Sequence, residues 1–172
     1  FAGHMQYLAD EGYETISLYE IDSALETGAP LPEKPIVLTF DDAYLDHYTN
    51  VFPILQQHDF RGAFFIPTQY IDNNTPGYMT WSQIQEMSSA GMDMESHTKH
   101  HIDLRNRSYD LLVFEIIGSI ETIEHYTGVP ARLFCYPVGR YDANTLDMLK
   151  TTSVERAVTT EPGIYHTTDN RY

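Results

Sequence analysis

The sequence predicts an α/β fold built on a parallel sheet or barrel, and three observations carry that reading. The chain has 172 residues, the size of one domain with a sizeable core. Short apolar runs rich in β-branched and aromatic residues alternate with helix-periodic segments, the rhythm of βα units. Three polar clusters, "DD", "HTKHH" and "YPVGRY", each follow an apolar run. Parallel α/β folds carry their chemistry there, at the C-terminal ends of the strands.

The elements follow in order. Residues 4–11 place Met5, Leu8 and Ala9 at helical spacing, and Gly12 ends that helix. "ETISLYEI" reads as a short strand running into a helix over 20–27, and "TGAPLPEKP" as a loop. "IVLTF", 36–40, reads as a buried strand. "YLDHYTNVFPILQQHD" reads as one helix with Leu45, Tyr48, Phe52 and Leu55 on one side and a kink near Pro53. A second buried strand covers 62–66. A helix capped at Thr80 or Ser82 then runs to Gly91. "MDMES" is a strand leading into the histidines. Residues 108–127 form the longest helix, "ARLFCYP" a strand, "DANTLDMLK" a helix capped by Asp142, and "RAVTT" a last strand.

Composition excludes some functions. The net charge is −15 with no basic patch, which argues against nucleic-acid binding and against an anionic membrane surface. The acidity suits solubility, or a neutral or cationic partner. Thirteen tyrosines suit either core packing or stacking on sugar rings. With Cys135 as the single cysteine, no disulfide forms within the chain and no cysteine-based zinc site is available. No apolar run reaches the length of a membrane span. The chain opens on what reads as the middle of a helix and closes on no element, so residues 1–172 read as a single domain cut at both ends.

In "SHTKHH", His97 and His101 are four apart and converge on one helix face or in a tight loop. Two imidazoles and a carboxylate make a ligand set with open positions, though histidines also cluster on surfaces. "TFDDAY" puts Asp41 beside Asp42, which is a turn, a helix N-cap, or the place where a cation offsets two like charges. With a cation near the histidines, one aspartate binds it while the other faces its water. That arrangement suits metal-assisted hydrolysis, with a carboxylate taking the proton and a backbone N–H, such as that of Val138, meeting the oxyanion.

"TFDD", "SHTKHH" and "LFCYPVGRY", in that order, resemble the polysaccharide deacetylases, carbohydrate esterase family four, with its NodB-homology domain; the resemblance covers roughly residues 1–165. It implies a distorted (β/α) TIM-like barrel that removes N-acetyl groups from sugars such as N-acetylglucosamine with a divalent metal, zinc first and Co2+, Ni2+ or Mn2+ as alternatives. It implies Asp41 as the catalytic base acting on metal-bound water, and Asp42, His97 and His101 as ligands. Thr98 fills the Ser/Thr slot, and His100 has no role. Pro137, Val138 and Gly139 fall on the family's Pro-Tyr-Gly segment, with Val138 giving the oxyanion N–H. Apart from the resemblance, Tyr136, Tyr141 and Trp81 are candidates to line the sugar groove, with core packing the equal alternative for each. The polymer is poly-N-acetylglucosamine, peptidoglycan or a chitin-like chain, and the location is extracellular or at the cell surface.

Three departures from the family pattern stand out. Ala43 replaces a glycine and is expected to keep a negative φ. Cys135 stands where many members carry an arginine that pairs with the base, which is similar to the poly-N-acetylglucosamine deacetylase branch of biofilm systems. No Leu-x-His acid motif appears: His166 is a weak candidate, and in that branch the acid lies upstream, before Phe1. Two alternatives remain. One is a catalytically impaired metal- and carbohydrate-binding module of the same fold. The other is an iron oxygenase, since two histidines and a carboxylate also suit Fe(II).

Overall fold

The computed structural model describes residues 1–162 and 167. In chain order the elements are α1 (Ala2–Asp10), β1 (Glu14–Thr15), α2 (Leu18–Thr27), β2 (Pro35–Ile36), β3 (Thr39–Asp41), α3 (Phe52–Gln57), β4 (Ala63–Ile66) and α4 (Thr68–Asp72). Then come α5 (Trp81–Ser89), β5 (Asp93–Ser96), α6 (Tyr109–Thr127), β6 (Leu133–Cys135), α7 (Ala143–Leu149) and β7 (Arg156–Val158). Strands β3 to β7 form one parallel sheet in sequence order, and β1 pairs with β2 in a small parallel ribbon. The larger sheet curls into a half-barrel, as the alternation of strands and helices predicts. No described helix is long and apolar enough to cross a membrane.

Successive strand residues point to opposite faces, which sorts the core into two layers. Phe64, Ile66, Met94, Phe134 and Tyr136 face outward and pack with Leu112, Ile116, Ile120 and Ile123 of α6. Ala63, Phe65, Leu133 and Cys135 face the concave side, where Leu18 and Tyr19 of α2 cover them. The helices start where their caps dictate. Reciprocal capping boxes at Ser17–Glu20, Thr80–Gln83 and Asp142–Thr145 begin α2, α5 and α7, and left-handed Gly28 and Gly128 end α2 and α6.

Four expectations change. The strand expected over 36–40 is two strands, since the chain leaves the small ribbon after Ile36 and joins the large sheet at Thr39. It is not buried: β3 is the sheet's edge, and Thr39 and Asp41 are exposed. The helix expected from 44 begins at Leu45 and contains a π-helical turn, His47–Val51, ahead of α3. Pro53 sits in the first turn of α3, and the wider turn ahead of it takes up the distortion that proline imposes. The short α4 has no periodic signature in its five residues. The helix over 20–27 begins earlier, at Leu18, because Ser17 caps it.

A buried ion pair and a buried carboxyl hold the concave side. Arg156 of β7 pairs with Asp22 of α2, both nearly enclosed. Glu95, 2% exposed, accepts from Tyr19 Oη at 2.6 Å and from Leu133 N–H at 2.9 Å. Asp22→Ala strands a buried guanidinium and should cost about 3–5 kcal/mol in urea unfolding. The double variant Asp22→Leu with Arg156→Met should be less destabilised than Asp22→Ala.

Burial outweighs both donors to Glu95 and pushes its carboxyl up to about 8 from an ordinary 4.5. Between those values the folded chain holds a proton that the unfolded chain releases. Stability should therefore fall as pH rises through that window. Urea midpoints measured across it should show the slope, and Glu95→Gln should flatten it.

Candidate metal centre

All five strands of the large sheet run parallel, so their C-terminal ends share one edge, and the polar clusters meet there. Asp42 Oδ1 lies 3.3 Å from His101 Nε2 and 3.6 Å from His97 Nε2, with the two rings 4.7 Å apart. The loop after β5 brings both histidines to the Asp42 carboxylate across the end of β4.

The adjacent aspartates are separated by backbone conformation. Asp41 is the last residue of β3, with Oδ2 3.6 Å from the Cys135 thiol. Asp42 is left-handed at φ 76°, which turns its carboxylate away from that of Asp41 and toward the histidines. Ala43 follows at φ 57°, so the expected negative φ does not occur. The chain reverses over both residues, and the Ala43 carbonyl accepts from Met79 N–H at 3.0 Å. The family glycine would take this conformation without strain, whereas alanine carries a cost.

His97 is almost wholly buried, and its Nδ1 lies 2.7 Å from the Cys135 carbonyl oxygen. A carbonyl can only accept, so Nδ1 holds the proton and Nε2 presents its lone pair. Burial, the largest influence, lowers the His97 pKa below the ordinary histidine value, which keeps that lone pair free. Asp41, His97 and Cys135 also lie close enough to bracket an ion. Burial, and then the Asp41 carboxylate, push the Cys135 thiol far up and keep it protonated, so it is a poor ligand. The donor set that fits a divalent cation is Asp42, His97 and His101.

A carboxylate that sequence reading missed holds the histidine loop. Glu115 of α6 is 2% exposed. Its Oε2 accepts from the N–H groups of Lys99 at 3.1 Å and His100 at 2.9 Å, and its Oε1 lies 2.8 Å from His100 Nδ1. His100 therefore braces the loop and does not face the ion site. The Thr98 hydroxyl accepts from His101 N–H at 2.9 Å, while Thr68 and Gln69 N–H of α4 donate to the Thr98 and Lys99 carbonyls. The only sequence signal for Glu115 is an acidic residue on the apolar side of a helix.

The segment after β6 is a tight turn, Pro137–Gly139, with Val138 at φ 52° and 54% exposed. A Cβ on Gly139 would run into Thr160, so glycine is required there. The Tyr136 ring is 1% exposed on the helix-facing side, stacked 4.5 Å from Tyr141, so it does not line a groove as expected. Alternation places Cys135 on the concave face and its neighbour Tyr136 in the core. Pro137 is buried too, and Tyr141 is half-buried. Trp81 stacks on Tyr126 of α6 at 4.2 Å. His166 lies outside the described residues.

His101→Ala should abolish tight binding of one Zn2+ or Co2+ per chain in calorimetric titration. Glu115→Ala, which only loosens the loop, should weaken it by about ten- to a hundredfold.

The family model for polysaccharide deacetylase matches residues 28–157. YxkH of Bacillus subtilis (strain 168) is 31% identical over 163 residues, covering 95% of this chain and 58% of that protein. The poly-beta-1,6-N-acetyl-D-glucosamine N-deacetylase of Escherichia coli (strain K12) is 25% identical over 201 residues, covering 92% of this chain and 30% of that protein. The chain thus spans 58% and 30% of these two curated relatives. The Streptococcus pyogenes deacetylase PplD, solved in complex with acetate, superposes with a TM-score of 0.90 at 30% identity, over 94% of this chain and 72% of that one. The matched span contains the paired aspartates, the histidine loop and the Val138 turn, and the chain belongs to the polysaccharide deacetylase family.

Proposed function

We propose that this chain is the catalytic part of a metal-dependent hydrolase that removes N-acetyl groups from an N-acetylglucosamine polysaccharide outside the cell. The observation that carries the reading is the pairing of a ligand set, Asp42, His97 and His101, with a second carboxylate, Asp41, that lies beside the ligand His97 at the same strand end. A binding site has no need of that second carboxylate, whereas hydrolysis needs a base. Poly-N-acetylglucosamine is the favoured polymer, from the name of the Escherichia coli relative. Zinc is the favoured ion, since two imidazoles and one carboxylate suit its preference for nitrogen and oxygen ligands with an open position.

A cation held by Asp42, His97 and His101 would supply Lewis-acid polarisation of the acetamide carbonyl and lower the pKa of water. Asp41 accepts the proton of the attacking water. The Cys135 thiol points its hydrogen at Asp41 Oδ2 and orients that carboxylate. The Val138 N–H, at the tip of its turn, donates to the oxygen that gains charge in the tetrahedral intermediate. His97 is kept from rotating by the Cys135 carbonyl. The C–N bond of the acetamide then breaks, the proton held by Asp41 passes to the leaving nitrogen, and acetate and a free amine are the products.

One observation favours a second reading, the impaired binding module: a thiol stands where an arginine pairs with the base. Acetate release from N-acetylglucosamine oligomers by the full-length protein separates the two. Release should require the metal and stop with chelator. Asp41→Asn should lower kcat by at least about a hundredfold while keeping the metal. Undiminished release by Asp41→Asn removes Asp41 as the base. No release by the parent protein from oligomers or peptidoglycan, with metal bound one to one, favours the module.

A further inference from the structure

Beside the ion site lies a shallow hollow of about 410 Å³ lined by Tyr44, Leu45, Asp46, Thr49 and Gly77. We propose that it is a saccharide subsite holding a pyranose ring of the same polymer next to the unit being deacetylated, an inference that rests on the function proposed above.

The hollow has the chemistry of a sugar site. Pyranoses present an apolar C–H face and a rim of hydroxyls, so they bind aromatic platforms edged by acceptors. Tyr44 is 44% exposed, a large share for an aromatic ring, and Leu45 beside it is 37% exposed. The exposed Asp46 carboxylate makes no hydrogen bond among the described residues, and the Thr49 hydroxyl donates to the Leu45 carbonyl with its lone pairs left over. Both edge the platform with acceptors. A polar rim around one ring fits a carbohydrate better than an apolar protein face.

The platform is built in advance. Tyr44 lies 5.1 Å from the ring of Tyr78, which stacks 4.6 Å from Tyr70 at an angle of 10°. The backbone under it is strapped: Tyr44 and Tyr78 form an antiparallel bridge, Leu45 N–H donates to the Gly77 carbonyl at 2.8 Å, and Met79 N–H to that of Ala43. A braced ring loses little freedom when a sugar arrives.

The hollow lies close to the ion site. Tyr44 is two residues past the ligand Asp42, across the left-handed turn at Asp42 and Ala43, and its ring is 6.1 Å from that of His47, on which the Asp42 carboxylate acts. The Tyr78 hydroxyl lies close to that of Tyr44 and within the field of the Asp42 carboxylate. A polymer with its acetamide at the cation would therefore pass over Tyr44.

The test uses the full-length protein with Asp41→Asn to stop turnover, loaded with Zn2+, and calorimetry with a β-1,6-linked N-acetylglucosamine tetramer. Adding Tyr44→Ala or Asp46→Asn should weaken binding about three- to tenfold with metal content unchanged. Tyr44→Phe should keep most of it. With Asp41 intact, Tyr44→Ala should raise KM for the tetramer and leave deacetylation of a single-ring substrate as it was. Equal tetramer affinity with and without Tyr44, or no tetramer binding by either protein, overturns the subsite. Acetate release with Tyr44-independent binding keeps the hydrolase and removes the subsite. Tyr44-dependent binding without any release keeps the subsite and removes the hydrolase.

Discussion

The site depends on one seam, between β5 and β6. Ser96 stands opposite Phe134 there, and side chains make the bonds on either side of that pair. The Glu95 carboxylate takes the Leu133 N–H, and the His97 imidazole takes the Cys135 carbonyl. A bond between backbones would hold two strands together and do nothing more. Here the bond at the C-terminal end also fixes a tautomer and a ring orientation, because a carbonyl admits one proton arrangement on Nδ1. The direction in which His97 Nε2 points, and with it the approach to Asp42, follows from that choice. The bond at the other end seats a buried carboxyl against α2 through Tyr19, so the cover of the concave face and the site share the seam.

Backbone strain is concentrated at the same edge. Among the described residues eight non-glycine residues have positive φ, and five of them, Asp42, Asp59, Asn74, His101 and Asn106, are of types that tolerate it. The other three are Ala43, Thr98 and Val138, all in the segments that form the site. Thr98 and Val138 are β-branched, for which this region is especially unfavourable. Such residues cost on the order of 1–3 kcal/mol each and persist only where the surroundings over-determine them. The surroundings here are the α4 N–H groups, the Glu115 clamp and the Tyr78 strap. The left-handed residues turn their segments sharply at the strand ends, where Asp42 and His101 meet.

Much of this was legible in the sequence. The alternation gave the strand and helix order, and "DD", "HTKHH" and "YPVG" fell at strand ends because parallel sheets gather those ends on one edge. Other parts were not legible, for physical reasons. In "LFCYP" every residue is apolar or nearly so, and alternation cannot say which face is the core, so Tyr136 was placed in a groove and lies beneath the helices. Ala43 carries no mark of a left-handed turn. The edge position of β3 depends on what pairs with it, which its own residues do not encode. Glu115 falls on the apolar side of a long helix, and nothing local says that the loop it clamps will fold over it.

The consecutive order of the strands has a consequence for the growing chain. Each βα unit can settle on the one made just before it, with contacts close in sequence. By the time His101 has been added, all three ion-facing side chains exist. The carbonyl that sets the His97 proton belongs to Cys135, on a strand made later, after the whole of α6. A nascent chain that ends between those points carries an imidazole free to offer either nitrogen. The choice is made when β6 docks, so the centre acquires its coordination chemistry late in synthesis, from a strand that supplies none of its ligands.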